Sequence, residues 1–292
     1  MIRSAPRSAR FTFVLITFIT SLLLASCASD PQAVELGWTP DSPAVYRVSV
    51  SSESRFSGPV SDLSGATQLT TTLRVTPVSR SEAEVEVVYL GASIADASGE
   101  AVALSLPDLT DAALTVNFSP PGVVSEVSSD NERGERFLGA QAPLVSPEDV
   151  VRSLFPPLPE GSFRAADTWT GGISPPFPGL GEEPVRMRYV VDSVGAEPAI
   201  SGYELSVSPR DFRSETAGDE VNGEGHLNIE FEGTLDESGG YAQTRRRADF
   251  GSDYLRLGGG GYANGTLRLT QETIVERLNA FEQFGLDAVS PE

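Results

Sequence analysis

The side chains that could carry chemistry in this 292-residue chain are carboxylates, hydroxyls, tyrosines and arginines. All 21 basic residues are Arg, which excludes Schiff-base chemistry, a lysine general base and a phosphate-loop lysine. The single His, His226, cannot form a zinc-binding His cluster. The single Cys, Cys27, excludes an internal disulfide and a thiolate metal site. These restrictions predict that the protein is not an enzyme.

His226 lies in the sequence Gly225-His226-Leu227-Asn228-Ile229, where polar and apolar residues alternate. In an extended strand its side chain shares a face with Asn228 and Glu230, because successive side chains point to opposite sides. We interpret it as a histidine on the polar face of a strand, with a general base as the alternative.

Acidic residues are numerous, and a pair of them could hydrolyse a glycoside. Where they alternate along a strand, as Glu82, Glu84 and Glu86 do, they indicate its water-facing side. The acidic runs 130–132 and 236–237 are too short for a calcium loop with EF-hand spacing. We therefore predict no metal site and no cofactor, and keep a carboxylate-dependent hydrolase as a remote alternative.

Arg245, Arg246 and Arg247 form the only run of basic residues. On a strand, Arg245 and Arg247 point to one face and Arg246 to the other. We predict that these side chains pair with neighbouring acids, with recognition of an anionic headgroup as the alternative. The glycine run 258–261 is interpreted as a hairpin loop, although its backbone amides could bind an anion.

Trp38 and Trp169 lie near the starts of two strand-rich halves of the chain. We interpret both as core or edge anchors, with the wall of a binding groove as the alternative. The Pro/Gly-rich segment 175–184 is interpreted as a rigid surface connector, and a segment that docks a partner is the alternative.

The charge of the chain restricts its partners. The formal net charge is −20, and removal of Arg3, Arg7 and Arg10 with an N-terminal signal leaves 18 basic against 41 acidic residues, or −23. A field of this sign repels phosphate backbones, so we predict no nucleic-acid binding. Charge alone also disfavours adsorption to anionic lipids.

The N-terminus has the pattern of a secretion signal. Three arginines precede an almost wholly apolar stretch, residues 11–25, whose length of about 15 residues is short of the roughly 20 that a spanning helix needs. The sequence Leu24-Ala25-Ser26-Cys27 follows, and it resembles the lipobox of bacterial lipoproteins. The resemblance implies that a signal peptidase recognises Leu24, Ala25 and Ser26 and cuts before Cys27. An ordinary secretory signal is the alternative.

The same resemblance implies that Cys27 carries diacylglycerol and that its amine is acylated, for instance with palmitate. Two or three acyl chains give stable anchoring. The protein is then expected on the extracytoplasmic side of a membrane of the bacterial cell envelope. In a cell with two membranes, Ala28 after Cys27 resembles the signal for export to the outer membrane.

Alternation of apolar and polar residues predicts an all-β, antiparallel fold. The expected strands of the first half are 44–52, 68–78, 83–94, 113–118 and 123–128. Those of the second half are 185–194, 203–208, 225–231, 241–250, 253–257 and 265–275. The last of these ends near Val275, with a short helical tail as the alternative. A curved half-barrel and a sandwich both fit this pattern.

One helix is predicted between the halves, because Ser146 can cap it, Pro147 suits its first position and two acids follow. It is expected to run to about Phe155. The predicted organisation is a signal peptide at 1–26, the lipidated Cys and a tether at 27–36, a first β half at 37–145, a helix and connector at 146–184, and a second β half at 185–292.

The mature region resembles an uncharacterised family of secreted or lipid-anchored β proteins. The resemblance is carried by Tyr46-Arg47-Val48, Leu73–Val78, Leu158–Gly161 and Asp167-Thr168-Trp169. It implies no known activity and no site residues. We therefore expect a non-catalytic structural or protein-interaction module of the cell envelope, with a carrier of an apolar, lipid-like ligand as the alternative.

Overall fold

The computed structural model describes residues 33–36, 43–58, 62–95, 100–104, 109–119, 123–139, 145–195, 197–206, 208–216, 219–236, 240–257 and 265–279. The signal region, Cys27, Trp38 and the glycine run 258–261 lie outside these residues, so the predictions made for them stay predictions. The fold is 67% strand and 7% helix, which confirms the all-β class.

Fifteen strands and two helices are present in the described part of the chain. The strands are β1 Ala33–Leu36, β2 Ala44–Ser57, β3 Asp62–Ser79, β4 Glu82–Ala95, β5 Ala101–Ala103, β6 Ala113–Phe118, β7 Val124–Ser128, β8 Gly161–Arg164, β9 Thr168–Ile173, β10 Val185–Ser193, β11 Ala199–Glu204, β12 Arg210–Thr216, β13 Asp219–Leu235, β14 Tyr241–Leu257 and β15 Thr266–Arg277. The helices are α1 Glu132–Leu138 and α2 Pro147–Arg152.

Thirteen of the strands form one antiparallel sheet. Its order is β7-β6-β4-β3-β2-β15-β14-β13-β11-β10-β9, with β5 on β4 and β12 on β13. β1 and β8 form a separate pair. β15 pairs with β2 along twelve residues and so joins the two halves of the chain into a single sheet. The sheet is open rather than closed into a barrel.

The register of the sheet follows from its period-two pattern. In β15, every second residue from Leu267 to Val275 is buried and the residues that alternate with them are more exposed. Val275 lies opposite Val48 of β2, so the apolar sides of both strands face the same way. A slip by one residue would turn every one of these side chains to the other face, and burial of one face therefore fixes the pairing.

The sheet curves around the segments 145–158 and 174–184, which precede β8 and follow β9. β7 and β9 are ten strand-to-strand steps apart in the sheet order, about 48 Å if the sheet were flat. Val124 of β7 and Ile173 of β9 nevertheless line the same small cavity. The Arg152 guanidinium donates to the Val124 carbonyl at 3.0 Å, and the Trp169 indole donates to the Pro157 carbonyl at 3.1 Å. The fold is therefore a curved half-barrel rather than a sandwich.

Two apolar clusters lie on the inner, concave face. The first core is built from β2, β3, β4 and β6 and is covered by Phe137 of α1 and by Val150 and Val151 of α2. The second core is built from β10, β11, β13 and β14 and is covered by Phe177 and Leu180. The interpretation of 175–184 as a surface connector is thus incomplete, because two of its apolar side chains fill the half-barrel.

The helices differ from the sequence prediction in number and length. α2 begins at Pro147 as predicted but ends at Arg152, before the expected Phe155. α1 was not predicted, although its signals are local: the Asn131 side chain accepts from the Gly134 amide at 2.6 Å, and Arg136 pairs with Glu132 one turn earlier. No helix in the described ranges is long and apolar enough to cross a membrane.

Three strand predictions also change. Residues 33–36, assigned to the tether, form β1 against β8. The predicted strand 203–208 is centred earlier, as β11. The predicted strands 241–250 and 253–257 are one continuous strand, β14. The strand ending near Val275 is confirmed, since β15 continues to Arg277.

Candidate functional site

A row of polar side chains crosses the inner face between the two cores. They come from neighbouring strands in register: Arg246 lies opposite Thr273, and Gln271 lies opposite Ser52. We call this row the polar seam; its members are Ser52, Thr67, Thr71, Thr244, Arg246, Gln271 and Thr273. All except Arg246 are less than 5% exposed. Burying a polar group on an inner face costs free energy unless the group has a hydrogen-bond partner.

The arginine run divides between the two faces of β14, as predicted. Arg245 and Arg247 lie on the convex side, and their guanidinium groups lie 2.6 and 3.4 Å from the Glu272 carboxylate. Arg246 points the other way, into the polar seam. The predicted pairing with acids is therefore confirmed for the two outer arginines.

Arg246 is poorly satisfied for a buried cation. Its Nε is buried without a hydrogen-bond partner, and its Nη2 lies 3.5 Å from the Gln271 Oε1. No carboxylate of the described residues makes a direct ion pair with it. Burial lowers the pKa of Arg246, and the charge of Asp149 on α2 opposes that effect.

Asp149 is the acid that faces Arg246. Burial raises the pKa of its carboxyl from 3.8 to about 6, and Glu148 adds to the rise. The charges of Arg246 and Arg152, and a hydrogen bond with Ser174, act in the opposite direction. Because burial is the largest of these effects, Asp149 can hold or release a proton near neutral pH.

A cavity of about 60 Å³ separates these groups. It lies between α2, the segment 153–157 and the inner face, and its polar lining is Asp149, Arg152, Ser153, Ser174, Tyr189, Thr244, Arg246 and Thr273. We call it the Arg246 chamber. Tyr189 is 0% exposed and its hydroxyl has no hydrogen-bond partner. Its ring stacks on Trp169 at 5.3 Å. Burial raises the pKa of Tyr189, so the phenol stays a hydrogen-bond donor.

An open groove of about 1080 Å³ adjoins the chamber at Asp149. Its walls are α2, the segment 174–184 and the start of β12, and we call it the α2 groove. Its charged residues are Glu148, Asp149, Arg152, Glu182, Glu183, Arg210, Asp211 and Arg213. The loop is fixed to β12 at Gly179, which has φ +97° and accepts a 2.8 Å bond from the Arg213 amide. A side chain there would strike the Arg213 carbonyl, so glycine is required.

The other sequence-predicted residues lie away from this site. His226 is exposed on β13, which confirms its place on the polar face. Glu84 is exposed on β4, and Glu86 pairs with Arg74 at 2.8 Å, which confirms a water-facing row. Trp169 anchors the edge strand β9. No group of three or more His, Cys, Asp or Glu side chains in the described segments is placed to hold a metal ion.

Sequence reasoning missed Asp149 and Tyr189 as site residues. Asp149 was assigned to the first turn of a helix, and that is where it lies, but its contact with β14 is long-range. Tyr189 has a local signal, because it is in phase with the buried Met187 and Val191 of β10. A buried Tyr needs a partner for its hydroxyl, so this phase was a usable indication of an inward-facing polar group.

No protein-family model and no curated protein matches the chain. Among solved structures, the chain is similar to lipovitellin, in a structure of its lipid-protein interactions. The sequence identity is 13% and the TM-score is 0.46 over 80% of this chain. The chain spans 25% of the lipovitellin chain.

It is also similar to DynF from the dynemicin biosynthesis pathway of Micromonospora chersina, with 10% identity and a TM-score of 0.23 over 87% of this chain and 89% of DynF. OccK5 (OpdH) of Pseudomonas aeruginosa shows 7% identity and a TM-score of 0.25 over 82% and 99% of the two chains. Similarities at this level do not support a shared function. The class that the fold defines is an open, curved antiparallel half-barrel filled by its own connecting segment.

Proposed function

We propose that this protein is an extracytoplasmic lipoprotein, anchored through lipid on Cys27, whose β domain is a non-catalytic module that binds a partner protein in the α2 groove. The observation that carries the proposal is the filling of the inner face by α2 and the loop with Phe177 and Leu180. The chamber left there measures about 60 Å³, whereas pockets for drug-sized ligands take about 300–1,000 Å³.

The charge of the α2 groove supports a polar, basic partner segment. Five carboxylates line it against three guanidinium groups, and the whole mature chain is strongly acidic. Complementary charge accelerates encounter and selects partners. The partner's contacts are expected to involve Glu182 and Glu183, which are exposed at the rim.

The alternative function is a carrier of a lipid-like ligand. It requires the segment 174–184 to leave the inner face, which would expose Phe177, Leu180 and the aromatic side chains beneath them. No cofactor and no metal belong to either proposal.

The lipid anchor is tested with Cys27→Ala in the native host. We expect the variant to lose incorporation of labelled palmitate and to leave the membrane fraction, because no other thiol is present. Ser29→Ala is the matched control and should behave as wild type. A Cys27→Ala variant that stays labelled in the membrane would contradict the anchor.

The role of the groove is tested by a photo-crosslinking residue at Glu182, with Glu230 on the convex face as the matched control. A discrete product in intact cells at Glu182 and none at Glu230 supports the interaction module. Native mass spectrometry of the protein purified from its host supplies the second arm. A mass equal to that of the polypeptide with its acylated Cys27 supports the module, and an additional stoichiometric lipid that is bound non-covalently and can be extracted would overturn it in favour of the carrier.

A further inference from the structure

The Arg246 chamber contains two buried donors that nothing in the protein satisfies. The Arg246 Nε and the Tyr189 hydroxyl both lack a hydrogen-bond partner. Buried polar groups in folded proteins are almost always paired, so unpaired donors on the wall of a cavity indicate a missing acceptor. A guanidinium has five donors and no acceptor, and the missing partner must therefore supply lone pairs.

The charges around the chamber favour an acceptor that is negative. Arg246 lies at the base of the chamber, and Arg152 lies at its rim with 24% of its side chain exposed. Arg152 already donates to Glu148 and to the Val124 carbonyl, so its contribution is charge. Asp149 is the only carboxylate in the lining that the structure describes, and it makes no direct ion pair with Arg246.

We propose that the Arg246 chamber binds a small oxyanion group, a carboxylate, phosphate or sulfonate, through the guanidinium of Arg246 and the hydroxyl of Tyr189. The volume of about 60 Å³ accommodates such a group but no alkyl chain. An attached chain would lie against the apolar part of the lining, which includes Val124, Phe155 and Ile173. The ligand is then either a free anion or the headgroup of an amphiphile. The inference stands independently of a partner in the α2 groove.

Asp149 makes the binding pH-dependent. The groups that face its carboxyl are Arg246 from β14, Glu148 and Arg152 from α2, and Ser174 from the loop. With the pKa of Asp149 at about 6, its carboxylate repels an anion above that pH, and the protonated form below it does not. Affinity for the oxyanion should therefore rise as the pH falls through 6.

The test is calorimetric titration of the mature lipidated protein, in nonionic detergent, with methanesulfonate and butanesulfonate, which stay ionised throughout. We expect one site, about tenfold tighter at about pH 5 than at about pH 8. Arg246→Gln should weaken binding at least about tenfold, and Asp149→Asn should make the affinity at the higher pH equal to that at the lower. Arg245→Gln, on the opposite face of the same strand, is the matched control and should bind as wild type.

A second variant tests the proposal if Arg246→Gln does not fold. Tyr189→Phe keeps the ring stacked on Trp169 and removes only the donor, and we expect about three- to tenfold weaker binding. Equal affinity for both sulfonates would indicate that the ligand is a free anion. Tighter binding of butanesulfonate would indicate that the ligand is the headgroup of an amphiphile. Absence of saturable binding in the millimolar range, or unchanged affinity in Tyr189→Phe and folded Arg246→Gln, would overturn the proposal.

Discussion

The two cores of the half-barrel are covered in different ways. The first core is mainly aliphatic, with Val48, Leu73 and Val85 at its centre, and helices lie over it. The second core is richer in aromatic residues and lies under a loop; its aromatic members are Phe177, Tyr189, Phe212, Phe231, Tyr241 and Phe250. A helix satisfies its own backbone hydrogen bonds, whereas a loop brings carbonyls that need partners.

This difference accounts for two of the side-chain hydrogen bonds on the inner face. The loop carbonyl of Pro176 accepts a 2.9 Å bond from the Gln271 amide, and that of Pro157 accepts one from the Trp169 indole. Tyr189 and Tyr241 bring buried hydroxyls to the second core. A loop that covers a sheet therefore requires donors on the inner face for its own carbonyl groups.

The largest expected effect distinguishes the packing of the two cores. Phe250→Ala should destabilise the protein by about 3–5 kcal/mol, because Phe250 is 1% exposed and stacks on Phe212. Val85→Ala, equally buried in the first core, removes less volume and should cost about 2 kcal/mol. Denaturant unfolding measures both, and a larger loss for Val85→Ala would reverse the comparison.

The next effect is a pH dependence of the free energy of unfolding, which originates at Asp149, where α2 meets the polar seam. The folded-state pKa of Asp149 is about 6, above its ordinary value of 3.8, so the folded state binds more protons between these values. Its contribution to stability falls as the pH rises through this window, by up to about 3 kcal/mol. Asp149→Asn should remove this fall, measured as the difference from wild type, whereas Glu148→Gln should only reduce it, because the Glu148 charge adds to the rise in the pKa of Asp149. Parallel curves for wild type and Asp149→Asn would contradict the assignment.

A smaller effect isolates the partner of the loop. Gln271→Leu leaves the Pro176 carbonyl without its donor and should cost about 1–3 kcal/mol. Thr71→Val is the counterpart under the first core, where the Thr71 hydroxyl donates to the Tyr89 carbonyl at 2.7 Å. We expect Gln271→Leu to increase proteolysis within 174–184 and Thr71→Val not to do so. Equal cleavage of both variants would show that Gln271 does not hold the loop in place.

The smallest effect is expected on the convex face. Arg245→Gln removes an exposed pair with Glu272 and should not measurably change the free energy of unfolding. The midpoint of chemical denaturation is the readout. A clear loss of stability would mean that the outer charges support the sheet more than exposed ion pairs usually do.

The strands were predictable because one face of each is buried, which gives β2, β3, β4 and β15 a period of two. The division of Arg245, Arg246 and Arg247 followed from the same rule. The pairing of β15 with β2 and the insertion of Phe177 were not predictable, since both depend on contacts between distant parts of the chain. The Arg246 chamber was missed for that reason: Asp149 and Arg246 are brought together only by the curvature of the sheet.

The position of β15 has a consequence for the order in which the fold is completed. β15 lies between β2 and β14, so a ribosome must have made residues 266–277 before the centre of the sheet can close. Until then β2 presents a fourteen-residue edge of unpaired backbone groups, which is a template for pairing with other chains. Contacts over such sequence separations form slowly. We therefore expect a holding chaperone that recognises extended segments to bind residues 44–57 of the unfolded chain.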